Sequence, residues 1–355
     1  MMDRYNTVLR TVDPDVDNLV DECAVLEAAQ LLQRGETVGF PTETVYGLGA
    51  DATSDKAITR IYTAKGRPSD NPLIVHIAYM EQAADYTEEI PEAARRLMEA
   101  FWPGPLAIVL KHNGLLSEKV TAGLETVALR MPDHQVALAL IEASKLPLAA
   151  PSANRSGKPS PTSAQHVYDD LAGWIPAVID GGTTGVGVES TVIDATQSPM
   201  MILRPGGVAI EAIENEVGTV TMDPSLASFS GTSPKSPGMK YTHYAPEAPL
   251  VLVEGRLADF SKTVERAQYA GKRVGVLVTD EWSGRTGADQ EVTLGPAADL
   301  EKIARRLYDA LREFHTDEVD IIYAVTFTEE DLGGAVMNRL AKAAGGRRIS
   351  PANPK

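Results

Sequence analysis

Arg130 and Arg204 each stand where an apolar run stops, and Arg67 lies in the first loop. Arg130 ends Val127-Ala-Leu-Arg-Met-Pro132, and Arg204 ends Met201-Ile-Leu-Arg-Pro-Gly206. Arg67 follows Lys65 across a single glycine, in Lys65-Gly-Arg-Pro68. Hydroxyl and amide groups occupy comparable places. Thr42 and Thr44 follow Val38-Gly-Phe40, Ser152 and Asn154 follow the run from Pro147, and Ser190 opens Ser-Thr-Val-Ile-Asp194. Cations and hydroxyl donors of this kind suit the holding of anions and the neutralising of charge that develops on them. Each residue alone has a plainer account: an arginine meeting one of the 49 carboxylates, or a serine closing its own turn. Lys65 equally fits as a cation at the negative end of its own helix. The repeated order of strand, cation, then proline or glycine favours convergence, because ligands of α/β sheets sit in crevices outside strand ends.

Other chemistries lack their residues. No G-x-x-x-x-G-K-[ST] occurs, which excludes a P-loop. Gly181-Gly-Thr-Thr-Gly-Val-Gly187 is glycine-rich, but a strand follows it, whereas a dinucleotide fingerprint needs a helix N-terminus. There is no H-E-x-x-H, and the six histidines have no metal-ligand spacing. Cys23 is the only cysteine, so neither an intrachain disulfide nor a cysteine-rich zinc site can form.

The positioning elements are set by local pattern. Pro41 cannot donate to a sheet, so the chain leaves the strand over 38–40 there. A helix is expected over 55–65, capped by Ser54, with Ile58, Ile61 and Tyr62 inward and Gly66 as its stop. A helix over 21–34 precedes it. Strands are expected over 73–78, 106–110, 126–131, 147–150, 177–180, 191–195 and 200–204, with helices from Pro91, over 133–144 and from Thr162. Several strand pairs have no helix between them, so the sheet should be mixed. Residues 218–248 carry Ser, Pro and Gly without periodicity and read as a linker, although Ser236-Pro-Gly-Met-Lys-Tyr-Thr-His-Tyr-Ala-Pro246 is richer in hydrogen-bonding groups than a spacer needs. From Pro249 strands and helices alternate again, which predicts a small α/β unit with a parallel sheet. The expected division is therefore 1–217, 218–248 and 249–355.

Pro41-Thr-Glu-Thr-Val-Tyr-Gly-Leu-Gly49, Lys65-Gly-Arg-Pro68, Asn71-Pro-Leu-Ile-Val-His76 and Pro151-Ser-Ala-Asn154 together resemble the YrdC-like family, in the long two-domain form of the threonylcarbamoyl-AMP synthases. The resemblance spans roughly residues 20–245 by motif. It implies a YrdC-like domain with a twisted mixed sheet and a concave site, then a smaller Rossmann-like accessory domain. It also implies that L-threonine, bicarbonate and ATP, with Mg²⁺, yield threonylcarbamoyl-AMP and pyrophosphate, and that a transferase passes the product to tRNA beside the anticodon. Carried over by motif, Thr44, His76, Arg130 and Ser190 would contact threonine, with the Ala150 backbone nearby. Lys65, Arg67, Asn71, Thr126, Ser152, Asn154, Ser160 and Arg204 would hold ATP, Lys65 and Arg67 acting on the transferred phosphate. Ser236 and Tyr241 resemble a segment that folds over the nucleotide.

Composition bounds the alternatives. At 355 residues and 43% hydrophobic content the chain can fill two cores. A net charge of −16 argues against an RNA-binding translation factor, which would show a basic face. A carbamoyl transferase built on the same domain would carry cysteine-based zinc modules that one cysteine cannot supply. No apolar leader or membrane-length run is visible, so a cytoplasmic protein is expected.

Overall fold

The structure is a computed structural model that describes residues 5–226 and 244–350. The chain divides into two units, Met1–Ser156 with Ser160–Lys240, and Gly157–Pro159 with Tyr241–Lys355.

The first unit is built on an eleven-stranded mixed sheet. In spatial order its strands are Val8–Thr11, Ala177–Asp180, Val38–Phe40, Gly47–Asp51, Leu148–Ala149, Ile74–His76, Thr126–Arg130, Leu106–Lys111, Thr191–Asp194, Met201–Arg204 and Thr221–Met222. Ile74–His76 runs parallel to Thr126–Arg130 with His76 opposite Arg130. Leu106–Lys111 runs antiparallel to Thr126–Arg130 and parallel to Thr191–Asp194. Side chains alternate across such strands. Val75, Val127, Leu129, Ile108 and Ile193 enter the main core beneath one face. Ile74, Ala128, Ala107, Val109, Val192 and Leu203 form a smaller apolar floor on the other. His76 and Arg130 share the parity of Ile74 and Ala128, so alternation places them on that second face.

The helix Asp55–Lys65 forms as its sequence predicts. The Ser54 side chain accepts from the Ala57 N–H, and Gly66 ends the helix in the left-handed region at φ 64°. Ile58 and Ile61 are fully buried beneath it. Pro91 differs from expectation: it is the N-cap of Glu92–Phe101 and not its first residue. Its extended ψ of 146° leaves the first helical turn to Glu92. Two residues inside the stretch expected as a linker take part in the sheet. Thr221–Met222 pairs in parallel with Met201–Ile202, because two backbone pairs satisfy groups that the side chains do not.

The second unit contains a five-stranded, wholly parallel sheet ordered Gln290–Thr293, Val274–Val278, Ile321–Val325, Leu250–Val253 and Arg348–Ile349. Parallel pairing requires crossovers; the helices Leu257–Tyr269, Leu300–Arg312 and Leu332–Ala343 supply three of the four, and the short helical turn Asp280–Trp282 lies in the remaining one. The Gln290–Thr293 strand is not predicted by pattern because it lacks an apolar run; only Val292 of its four residues is buried.

Candidate active site

Pro41 turns the chain out of the sheet, and Thr42 fixes the shape of the turn after it. Its Oγ1 accepts from the N–H groups of Thr44 (3.2 Å) and Val45 (3.3 Å) and donates to the Val45 carbonyl at 2.7 Å. The glycine-rich stretch lies along this turn. Val186 N–H donates to the Glu43 carbonyl at 2.8 Å, and Gly187 N–H to that of Thr44 at 3.1 Å. Tyr46 fastens the other end, its hydroxyl donating to the Gly182 carbonyl at 2.6 Å. Burial, then the nearby Asp180 carboxylate, pushes the Tyr46 pKa up, so it remains a donor. The stretch 181–187 therefore supports the threonine turn and needs no helix behind it.

Arg130 reaches this turn from the sheet. Its Nη2 donates to Thr44 Oγ1 at 3.0 Å, its Nε donates to the Gly104 carbonyl at 3.3 Å, and Nη2 lies 2.6 Å from Glu43 Oε2. The Glu43 contact is an ion pair without hydrogen-bond alignment, so neither carboxylate oxygen takes a directed donor. His76, across the strand pair, has an Nδ1 without a partner. Burial first, and the Arg130 charge second, hold its imidazole pKa down at about 3. His76 is thus neutral near pH 7. Because its pKa falls on folding, it contributes stability above the unfolded value near 6.5, and this is lost as pH falls toward 3. His76→Gln should lack that loss, so the melting temperatures of wild type and variant should converge over this window. Parallel curves of melting temperature against pH would refute the assignment.

Ser190 lies beyond the Gly104-Pro105 turn that Arg130 also touches, since Thr191 N–H donates to the Pro105 carbonyl at 2.9 Å. Arg204 donates through Nε and Nη2 to the Ser190 carbonyl (3.1 and 2.9 Å) and through Nη2 to Ser190 Oγ at 3.1 Å. Gly206 permits this approach: a Cβ there would sit 2.3 Å from the Ser190 carbonyl carbon and the Thr191 nitrogen. Ser160, buried, donates to Glu189 Oε1 at 2.6 Å.

A second group forms around Lys65. Its Nζ donates to the carbonyls of Ser152 and of Asn154, the latter at 2.6 Å, and approaches Asn154 Oδ1 at 3.4 Å. Ser152 Oγ donates to Asn154 Oδ1 at 2.6 Å. This loop is tied to the strand Gly47–Asp51 by a bridge between Gly47 and Ser152. Arg67 Nη2 leans on the Pro72 carbonyl at 3.3 Å, and the wholly buried Asn71 leaves both its side-chain oxygen and nitrogen without partners. An unpaired buried amide is costly, and a polar ligand would satisfy it. Ala150 lies between the groups, its N–H donating to the Ile74 carbonyl at 2.9 Å. Thr126 opens the strand that Arg130 closes, about 13 Å away at an extended rise.

The structure thus brings Thr44, His76 and Arg130 together, joins Ser190 to Arg204, and gathers Lys65, Ser152 and Asn154. Ser236 and Tyr241 lie outside the described residues. Sequence reading missed Glu43 and Glu189, although Glu43 stands between two hydroxyl residues in the singled-out turn. It also missed His134, whose pKa is lowered by burial against the opposing influence of Glu43 and Asp133. Among the described residues no cluster of three or more His, Cys, Asp or Glu could hold a metal ion, and no helix is long and apolar enough to cross a membrane.

Residues 30–206 match the family model Sua5_yciO_yrdC, described as telomere recombination. Residues 208–345 match Sua5_C, described as the C-terminal domain of threonylcarbamoyl-AMP synthase. The chain is 54% identical over 326 residues to the threonylcarbamoyl-AMP synthase of Bacillus subtilis, covering 92% of this chain and 94% of that one. The synthase of Pyrococcus abyssi is 48% identical, covering 96% and 99%. A crystal structure of P. abyssi Sua5 complexed with L-threonine superposes with a TM-score of 0.91 at 47% identity, covering 97% of this chain and 99% of that chain. Escherichia coli YciO, at 22% identity and a TM-score of 0.51, shares the fold over 56% of this chain and 96% of its own. Identity at this level over nearly the whole length settles membership: the chain belongs to the Sua5/YciO/YrdC family, in the two-domain form that carries the Sua5 C-terminal domain.

Proposed function

We propose that this chain forms L-threonylcarbamoyladenylate and pyrophosphate from L-threonine, bicarbonate and ATP. The observation that carries the reading is the coexistence of two cationic groups, one at the end of the strand Thr126–Arg130 and one at the end of the helix Asp55–Lys65. Arg130 with Thr44 and His76 forms one, and Lys65 with the Ser152–Asn154 loop the other, in a chain 54% identical to a named synthase.

The chemistry suits that inventory. Threonine's amine attacks the bicarbonate carbon, a carbamate forms and water leaves. A carbamate oxygen then attacks the α-phosphorus of ATP, and pyrophosphate departs with the P–O bonding electrons. The attacking group is already an anion, so this second step needs no strong base. It needs two anions held together and the charge on the phosphate neutralised. Arg130, Thr44, His76 and Ser190 bind threonine in this reading, and Lys65, Arg67, Asn71, Thr126, Ser152, Asn154, Ser160 and Arg204 bind ATP. Mg²⁺ arrives on the nucleotide, since such an ion is held largely by phosphate oxygens and water and no acidic cluster is found among the described residues. Keeping water from the mixed anhydride is a further demand of this chemistry, and Ser236 and Tyr241, which the resemblance assigns to the nucleotide, lie outside the described residues. The product passes to a cytoplasmic transferase that modifies tRNA.

Pyrophosphate release, assayed with L-threonine and bicarbonate each omitted in turn, tests the proposal. Release should require both. ATP turnover indifferent to threonine would overturn it.

A further inference from the structure

The Glu43 carboxylate has no role in the reaction as written, and its setting is unusual. Both oxygens are shielded from solvent, yet neither accepts a directed hydrogen bond. Its side chain is 11% exposed and that of Arg130 5%, so this ion pair lies where surface screening does little. A carboxylate kept only to neutralise Arg130 would normally align with the guanidinium and accept from neighbours as well. The backbone leaves Glu43 little freedom to relax, because its carbonyl is held by Val186 and the following residues by Thr42 Oγ1. On the Arg130 side, Nε and Nη2 donate to Gly104 and Thr44, and among the described residues Nη1 donates no hydrogen bond. A negative and a positive group thus stand 2.6 Å apart, each with unmet hydrogen-bonding capacity.

We infer that Glu43 is the acceptor for the substrate's α-ammonium, so that Glu43 and Arg130 together recognise the amino-acid zwitterion. An α-amino acid carries its ammonium and carboxylate on one carbon, which presents opposite charges side by side as this pair does. The ammonium supplies three N–H donors, the kind of partner that the Glu43 oxygens lack. The substrate carboxylate meets Arg130 through Nη1. Each protein charge then gains an opposite charge, where binding a lone carboxylate would leave Glu43 facing a second anion. The device selects α-amino acids over hydroxy acids of the same shape. This inference rests on the threonine-binding reading of the Arg130 end.

The test uses the full chain and two ligands, L-threonine and (3R)-3-hydroxybutanoate, which keeps the carboxylate and hydroxyl and lacks the amine. Dissociation constants are measured for wild type, Glu43→Gln and Glu43→Asp by ligand-observed NMR, with ATP affinity and thermal melting as fold controls. In wild type the ratio of the two constants should strongly favour threonine. In Glu43→Gln threonine affinity should fall by about 30-fold or more while that for hydroxybutanoate changes by less than about threefold, collapsing the ratio. Glu43→Asp keeps the charge one methylene short and should lie between, and it carries the test if Glu43→Gln does not fold. A ratio unchanged in the variants, or equal losses for both ligands, would reduce Glu43 to a structural counter-ion and overturn the inference. Wild type that binds no L-threonine would instead overturn the functional reading beneath it.

Discussion

Arg130→Lys is expected to need on the order of 100-fold more L-threonine for half-maximal pyrophosphate release, with its ATP requirement nearly unchanged. The size of the effect comes from geometry. The guanidinium is set by three separate groups: the Gly104 carbonyl on Nε, Thr44 Oγ1 on Nη2, and the Glu43 carboxylate beside Nη2. Lysine keeps the charge but concentrates it on one ammonium that cannot span the Gly104 carbonyl and the threonine turn together. The orientation that aims Nη1 at a carboxylate is therefore lost. Removing such a directed, buried contact corresponds to about 2–5 kcal/mol. The fold should survive, because Glu43 retains a cation. Steady-state rates with threonine varied at saturating ATP decide it. A threonine dependence equal to wild type would sink the role assigned to Arg130.

Much of this arrangement is legible in the sequence, for reasons that particular residues make plain. The Asp55–Lys65 helix is bounded by Ser54 and Gly66, whose chemistry acts within a few residues and so can be read locally. The Arg130 and Arg204 positions are legible because each ends an apolar strand before a proline or glycine. The illegible part depends on pairing at long range. Arg130 reads in the sequence as a contact to threonine, yet two of its nitrogens are occupied by Gly104 and by Thr44 with Glu43, residues 26 and 86 positions away for the two hydrogen bonds. Lys65 admits a purely helical explanation, since a cation in the last turn complements the helix end. Its Nζ in fact reaches Ser152 and Asn154, 87 and 89 residues away. The glycine-rich stretch over 181–187 invites comparison only with nucleotide motifs. Its use is to lie against the Glu43 and Thr44 carbonyls, with Gly182 and Gly187 in the left-handed region at φ 90° and 82°. Short strands paired by backbone alone, such as Thr221–Met222, leave no apolar signature.

Lys65→Met should both destabilise the first unit and depress turnover by on the order of 1,000-fold, and a companion variant can separate the two effects. Lys65 is 2% exposed, and methionine fills similar space without a donor. The Ser152 and Asn154 carbonyls would then lose the ammonium that they share. Leaving two buried acceptors unsatisfied corresponds to about 2–4 kcal/mol, or a fall of roughly 4–16 °C in melting temperature for a unit of this size. Turnover falls for a different reason. The ammonium places positive charge at the Ser152–Asn154 loop, where the proposed reaction concentrates negative charge on phosphate, and in a water-poor site that charge acts at short range. Lys65→Arg retains charge and donors on a longer, forked group. It should recover most of the lost stability while remaining slow, because the charge is displaced from its place beside the Asn154 carbonyl. A pyrophosphate-release assay run beside thermal melts reads both quantities. If Lys65→Met melts lower but turns over like wild type, the lysine is a clasp for the loop and nothing more. If it is slow and melts unchanged, the two carbonyls do not depend on it. Only the joint loss, with stability alone restored by arginine, fits an ammonium that organises the loop and also faces the nucleotide.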